Sequence, residues 1–165
     1  MNRTGSLQRQ RVIPWLALLA WGLWQPAMAY DRNSTSPVNV DANGVALNGY
    51  DPVAYFTAHA PRRGSVQFSA MHEGATYQFE SASNRELFRA DPARYAPQYG
   101  GFCAVGAAHH RKIEADPRRW RVVADKLYVN NNWIAQRLFV GDEEPLIARA
   151  DSNWTEIRDR APKDL

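Results

Sequence analysis

Ser65-Val66-Gln67-Phe68-Ser69 and Ala75-Thr76-Tyr77-Gln78-Phe79-Glu80 are two short runs of alternating apolar residues, with His72-Glu73-Gly74 between them. Alternate residues of a strand share one face, so Val66 with Phe68 and Tyr77 with Phe79 predict a β-hairpin. Downstream, Ser83-Asn84-Arg85-Glu86 has the Ser-x-x-Glu spacing of a capping box and predicts a helix from near Asn84, with Leu87 and Phe88 facing the core. Asp91-Pro92 ends that helix, because a residue before proline avoids the α conformation, and the same pair can cap a further turn carrying Tyr95. A second hairpin is read where Trp120-Arg121-Val122-Val123 and Leu127-Tyr128-Val129 flank Ala124-Asp125-Lys126. Asn130-Asn131-Asn132 then suits a helix cap ahead of Trp133, Ile134, Leu138 and Phe139, which recur at helical spacing. Glu143-Glu144-Pro145 opens another helix with Leu146, Ile147, Ala150, Trp154 and Ile157 as its stripe, and a break is expected at Asp151-Ser152-Asn153. Upstream of the first hairpin, Asn48-Gly49 marks a turn and Asp51-Pro52 caps a short helix through Val53-Ala54-Tyr55-Phe56 that ends before Pro61. No internal repeat is legible. The expected architecture is one small α+β domain: two β-hairpins, a short capped helix between them, and a C-terminal helical segment packed over the sheet.

The amino terminus reads differently. Arg3, Arg9 and Arg11 precede an apolar run from Val12 to Trp24, and Ala27-Met28-Ala29 is a small-residue cleavage signature. Residues 1–29 are therefore expected to be a signal peptide, 30–44 a flexible leader, 45–160 the folded domain and 161–165 a tail. The apolar run falls short of the roughly 20 residues a spanning helix needs, so no stable membrane span is expected after cleavage, and the product is expected to be exported, periplasmic or secreted. Three of the 20 Lys and Arg residues lie in that segment and none of the 17 Asp and Glu do, which leaves 17 charges of each sign. A nucleic-acid partner, which would call for a basic excess, is not expected.

The chain holds one cysteine, in Tyr95-Ala96-Pro97-Gln98-Tyr99-Gly100-Gly101-Phe102-Cys103-Ala104. It cannot form an internal disulfide, so the thiol is buried, bonded to a partner, or used. Two glycines before it allow a bend that could present the sulfur among aromatic rings. Ala104 to Ala108 reads as a small apolar strand leading to the polar loop His109-His110-Arg111-Lys112.

Several of these phrases occur together and in order: Leu47-Asn48-Gly49-Tyr50-Asp51-Pro52-Val53-Ala54-Tyr55-Phe56, Tyr77-Gln78-Phe79, Asp91-Pro92, the Tyr95–Ala104 stretch, Asp116-Pro117, Trp120 and Lys126-Leu127-Tyr128-Val129-Asn130. In this the chain resembles the exported YHS domain family, from about Val45 to about Trp154. Related YHS or TRASH-like modules are small metal-sensing or metal-trafficking domains. The resemblance thus implies a non-enzymatic module that binds a transition metal, copper or zinc, or a small ligand. This chain departs from those relatives in having no Cys-x-x-Cys pair, which excludes a cysteine-rich zinc site. A metal would need Cys103 with donors from His72, His109 or His110, with His59 and the soft Met71 as lesser candidates. Two alternatives stay open. One is a redox or catalytic protein with Cys103 as nucleophile and a histidine as base. The other is an envelope interaction or structural module presenting Trp133 and Trp154.

Overall fold

Both expected hairpins form in the computed structural model, which describes residues 31–165; the signal peptide expected at 1–29 lies outside the described residues. Strand β1 (Ser65–His72) pairs antiparallel with β2 (Ala75–Phe79), and β3 (Asp116–Val123) with β4 (Lys126–Asn130). Each turn has two central residues at positive φ, Glu73-Gly74 and Ala124-Asp125, the geometry whose twist matches the strands it joins. Each hairpin leads into a helix, α2 (Ala82–Ala90) after the first and α5 (Trp133–Gly141) after the second. The caps are Ser81, whose Oγ accepts from the Asn84 N–H, and Asn132, whose Oδ1 accepts from the Ile134 and Ala135 N–H groups. The Ser83 capping box does not form: Ser83 lies inside the first turn of α2, and Glu86 pairs with Arg85 and Arg89.

The chain contains an internal structural repeat that its sequence conceals. One interval separates Ser65 from Asp116, Ala75 from Lys126, Ser81 from Asn132 and Ala82 from Trp133, so both strands, the cap and the helix recur in step. The irregularities recur too, since the register shifts between Ser65 and Ser69 and again between Asp116 and Trp120. Ahead of each hairpin stands a short helix, α1 (Ala54–Thr57) or α4 (Ala104–Ala108). Ahead of each helix stands a left-handed turn, Leu47-Asn48-Gly49 at φ 51, 50 and 77° and Tyr99-Gly100-Gly101 at φ 54, 59 and 80°. The same ring pair anchors each half. Tyr77 and Phe88 stack at 4.8 Å and 35°, Tyr128 and Phe139 at 5.3 Å and 37°.

Packing follows the repeat. One core cluster is centred on Val53, Tyr77, Phe79 and Phe88 of the first half, another on Tyr99, Cys103, Tyr128 and Phe139 of the second. Leu47 and Tyr55 of the first half meet Ala115, Leu127 and Val129 of the second in a third cluster that joins them. The halves diverge at their ends: α3 (Pro92–Tyr95) is one turn, whereas α6 (Glu143–Ile157) is a long helix laid against α4.

Four further expectations are corrected. Leu87 of α2 is exposed, and of the two residues expected to face the core only Phe88 does. Ala104 to Ala108 is a buried helix, not a strand; a short run of small apolar residues has no period that separates the two. Helix α6 runs unbroken through Asp151-Ser152-Asn153. Its polar residues bond outward, Asp151 Oδ1 accepting from the Tyr99 hydroxyl and Asn153 Nδ2 donating to the Ala107 and Ala108 carbonyls. Finally, the segment expected as a flexible leader is packed from Ser36 onward. Val38 is buried in the first core cluster, and the Asn39 N–H donates to the Gly100 carbonyl at 2.8 Å. A Cβ on Gly100 would lie 1.8 Å from the Pro37 carbonyl oxygen, so the double glycine serves the close passage of this strap.

Candidate functional site

Cys103 sits at the N-cap of α4 and is 2% exposed. Its Sγ accepts from the Gly106 N–H at 3.4 Å, and its thiol donates to Asn130 Oδ1 at 3.7 Å. Asn130 is itself buried and passes the chain of bonds onward, its Nδ2 donating to Gln136 Oε1 and Gln136 Nε2 to the Trp120 carbonyl. Burial pushes the thiol pKa up, while the N–H groups of Gly106, Asn131 and Val105 oppose that push.

The repeat explains this arrangement. The residue equivalent to Cys103 is Asp51, which also follows the left-handed turn and precedes the short helix. Asp51 is fully buried. Its Oδ1 accepts from the Val53 and Ala54 N–H groups, and its Oδ2 from the Glu80 N–H and from Asn84 Nδ2. The two donors at the helix start recur in place, Val53 and Ala54 in the first half and Val105 and Gly106 in the second, but there only the Gly106 N–H goes to the sulfur and the Val105 N–H goes to Asn130 Oδ1. In both halves one buried side chain ties the helix start to the end of the hairpin, Asp51 by accepting on both sides and Cys103 by accepting from the Gly106 N–H and donating to Asn130 Oδ1. A thiol used in this way serves the fold. It is expected to stay unreactive to a thiol-specific disulfide reagent until the protein unfolds, and Cys103→Ser should cost about 1–2 kcal/mol in urea denaturation. Labelling faster than global unfolding would contradict this role.

The candidate metal donors do not converge on the sulfur, which has no imidazole among its hydrogen-bond partners. His72 packs edge-on against Phe88 at 5.8 Å in the first half. His109 is exposed beyond α4, and His110 Nε2 pairs with Glu156 at 3.1 Å. His59 and Met71 are exposed. Among the described residues no group of three or more His, Cys, Asp or Glu side chains is placed to hold a metal ion.

What the structure does build, beside Phe102, is a groove of about 780 Å³ beneath the strap. Its lining includes Asp31, Arg32, Val38 and Asn39, Asp41 from the turn that follows, and Glu114. Asn39 is 9% exposed; its Nδ2 donates to the Gly101 carbonyl, and its shielded Oδ1 has no partner among the described residues. That orientation is fixed, since a flipped amide would set two oxygens against each other. Burial raises the Glu114 carboxyl above its ordinary range, with an Asn48 hydrogen bond opposing.

Lys112 holds the groove's strap in place. Its ammonium, almost wholly buried, donates to the carbonyls of Ser36 at 2.7 Å and of Arg158 and Arg160 at 2.9 Å, and lies 4.9 Å from the Phe102 ring centre. Three donors thus meet three acceptors, and the two ends of the described chain are clasped together. Burial pushes this ammonium down to about 8, against the pull of Asp159. The sequence places Asn39 in a leader, Lys112 in a polar loop and Asn130 in a cap run, and all three prove buried, because nothing local distinguishes a surface polar residue from one that the tertiary fold will enclose. No protein-family model, curated protein or solved structure matches the chain.

Proposed function

We propose that the chain is a non-enzymatic binding module of the exported YHS type, and that it takes a small ligand in the groove under the strap, next to the cysteine but not at it. The observation that carries this reading is the groove itself, large enough for a small molecule and walled by apolar surface with a few polar groups. Its ionisable lining is three carboxylates, Asp31, Asp41 and Glu114, against one guanidinium, Arg32, which favours ligands that are cationic or donate hydrogen bonds. The sulfur is a poor rival because its lone pairs and proton are already engaged inside the fold.

The test is amide NMR of the protein titrated with three probes of similar size: benzylamine, benzyl alcohol and benzoate. Saturable shifts centred on residues 36–44 and Phe102 are expected, with the amine strongest. Ala42→Trp, an exposed residue of the groove wall, should abolish them by filling the space. Cys103→Ser should leave them intact. Binding that survives Ala42→Trp but is lost with Cys103→Ser would return the site to the sulfur and overturn the reading.

A further inference from the structure

Helix α5 exposes four large apolar side chains: Trp133 at 62%, Ile134 at 52%, Leu138 at 55% and Val140 at 45%. Its inner side, Ala135 and Phe139, is buried against the second core, so the fold has already used the face it needs. Helical spacing gathers Trp133, Ile134, Arg137 and Leu138 on one outward surface.

The repeat supplies an internal control for that surface. Helix α2 holds the same position in the first half, and its residues equivalent to Trp133, Ile134, Leu138 and Val140 are Ala82, Ser83, Leu87 and Arg89. The same hairpin-and-helix unit therefore folds with one large apolar residue where α5 carries four. Folding does not account for the difference.

Arg137 indicates what covers the face. It lies at the midpoint of α5, is exposed, and has no carboxylate partner among the described residues; Glu86 stands at its place in α2. A second copy docked antiparallel through this face would bring two Arg137 guanidiniums together at the two-fold axis, which disfavours self-pairing. The surface is the outside of a helix, not a groove, so it does not offer the cleft that receives a helical peptide. A lipid bilayer accepts a convex apolar ridge: Trp and Leu enter the interface, and an arginine among them meets headgroup phosphates.

We propose that α5 docks the domain peripherally on an anionic phospholipid surface, with Trp133, Ile134 and Leu138 inserted and Arg137 bound to lipid phosphate. The mode is attachment from one side, since no helix among the described residues is long and apolar enough to cross a membrane.

The experiment is co-sedimentation with vesicles of phosphatidylcholine alone and of phosphatidylcholine with phosphatidylglycerol. It uses the full chain and, in parallel, the chain from Tyr30, which keeps all three core clusters and removes any contribution of the apolar run at Val12–Trp24. Binding is expected in both forms, stronger to the anionic vesicles. Arg137→Gln should weaken anionic binding about fivefold, the worth of one cation near a charged bilayer. The double variant Trp133→Ser, Leu138→Ser should weaken it more than tenfold while its melting temperature stays that of the parent, because both positions are exposed. Vesicle binding by the Tyr30 form that the double variant leaves unchanged would overturn the proposal. So would a wild-type Tyr30 form that ignores vesicles, whether it sediments as a monomer or as a dimer that the double variant dissociates.

Discussion

Asp51→Ala is expected to destabilise the protein by about 4 kcal/mol, more than truncation of any other polar side chain in the fold. The carboxylate is fully buried and holds four donors, two from the start of α1 and two from the junction of β2 with α2. Truncation leaves those N–H groups without a partner where water cannot replace it, and each buried orphan costs on the order of 1–3 kcal/mol. Partial relaxation keeps the sum below simple addition. Asp51→Asn should also be costly, because an amide can turn an oxygen to only one of the two donor pairs and must set its own NH₂ against the other. Guanidinium denaturation of both variants against the parent measures this, and a loss under about 1 kcal/mol for Asp51→Ala would refute the nodal role assigned to this residue.

Alkaline pH is expected to unfold the protein cooperatively. Burial is the leading cause that raises the phenols of Tyr55, Tyr77, Tyr99 and Tyr128, the last to about 12 and the other three further. In the unfolded chain a tyrosine ionises near 10. Above that pH the unfolded state releases protons that the folded state keeps, so stability is intact below about 10 and falls as pH climbs through the folded values. Each such phenol contributes a slope of about 1.4 kcal/mol per pH unit, and four together about 5, against a typical total of roughly 5–15. The transition should therefore lie within about two or three units above pH 10. Lys112 acts with the opposite sign over a lower window. Its folded value near 8 lies below the unfolded 10.5, so the unfolded state binds more protons between them and stability rises with pH there. The expected profile climbs gently from about pH 8 and then drops steeply. Tyrosinate absorbance and far-UV circular dichroism should change together in that drop. Phenols that ionise near pH 10 while the secondary structure persists would show that they are not enclosed. Lys112→Met should remove the gentle climb and leave the drop.

The hairpins were readable because strand alternation and turn chemistry are local: Val66, Phe68, Tyr77 and Phe79 carry a period of two, and Ala124-Asp125 lies between two apolar runs. The cap at Asn132 and the helix it starts were readable for the same reason. The cap at Ser81 was not, because Ser83 offers the same local chemistry and only the end of β2 decides which serine is extended. The thiol raises the same difficulty in a sharper form. Two glycines before a cysteine suggest a displayed sulfur, yet Gly100 is needed for the passage of Pro37, and the sulfur takes the place that a carboxylate has in the other half.

The repeat marks the boundary between the two kinds of information. It rests on backbone dihedrals, hydrogen-bond register and helix positions, which many side chains satisfy. Tyr77 with Tyr128 and Phe88 with Phe139 are among the few identities that survive, and the equivalent pair Asp51 and Cys103 share no chemistry beyond accepting N–H groups. From its residues alone, this chain determined both hairpins, their turns and the cap at Asn132, because those depend on neighbours a few positions away. Which polar groups are enclosed, where a groove opens and which helix face stays bare were decided by tertiary packing, because burial depends on segments such as the strap at Pro37 and the end of α6 at Arg158 that are far apart in sequence.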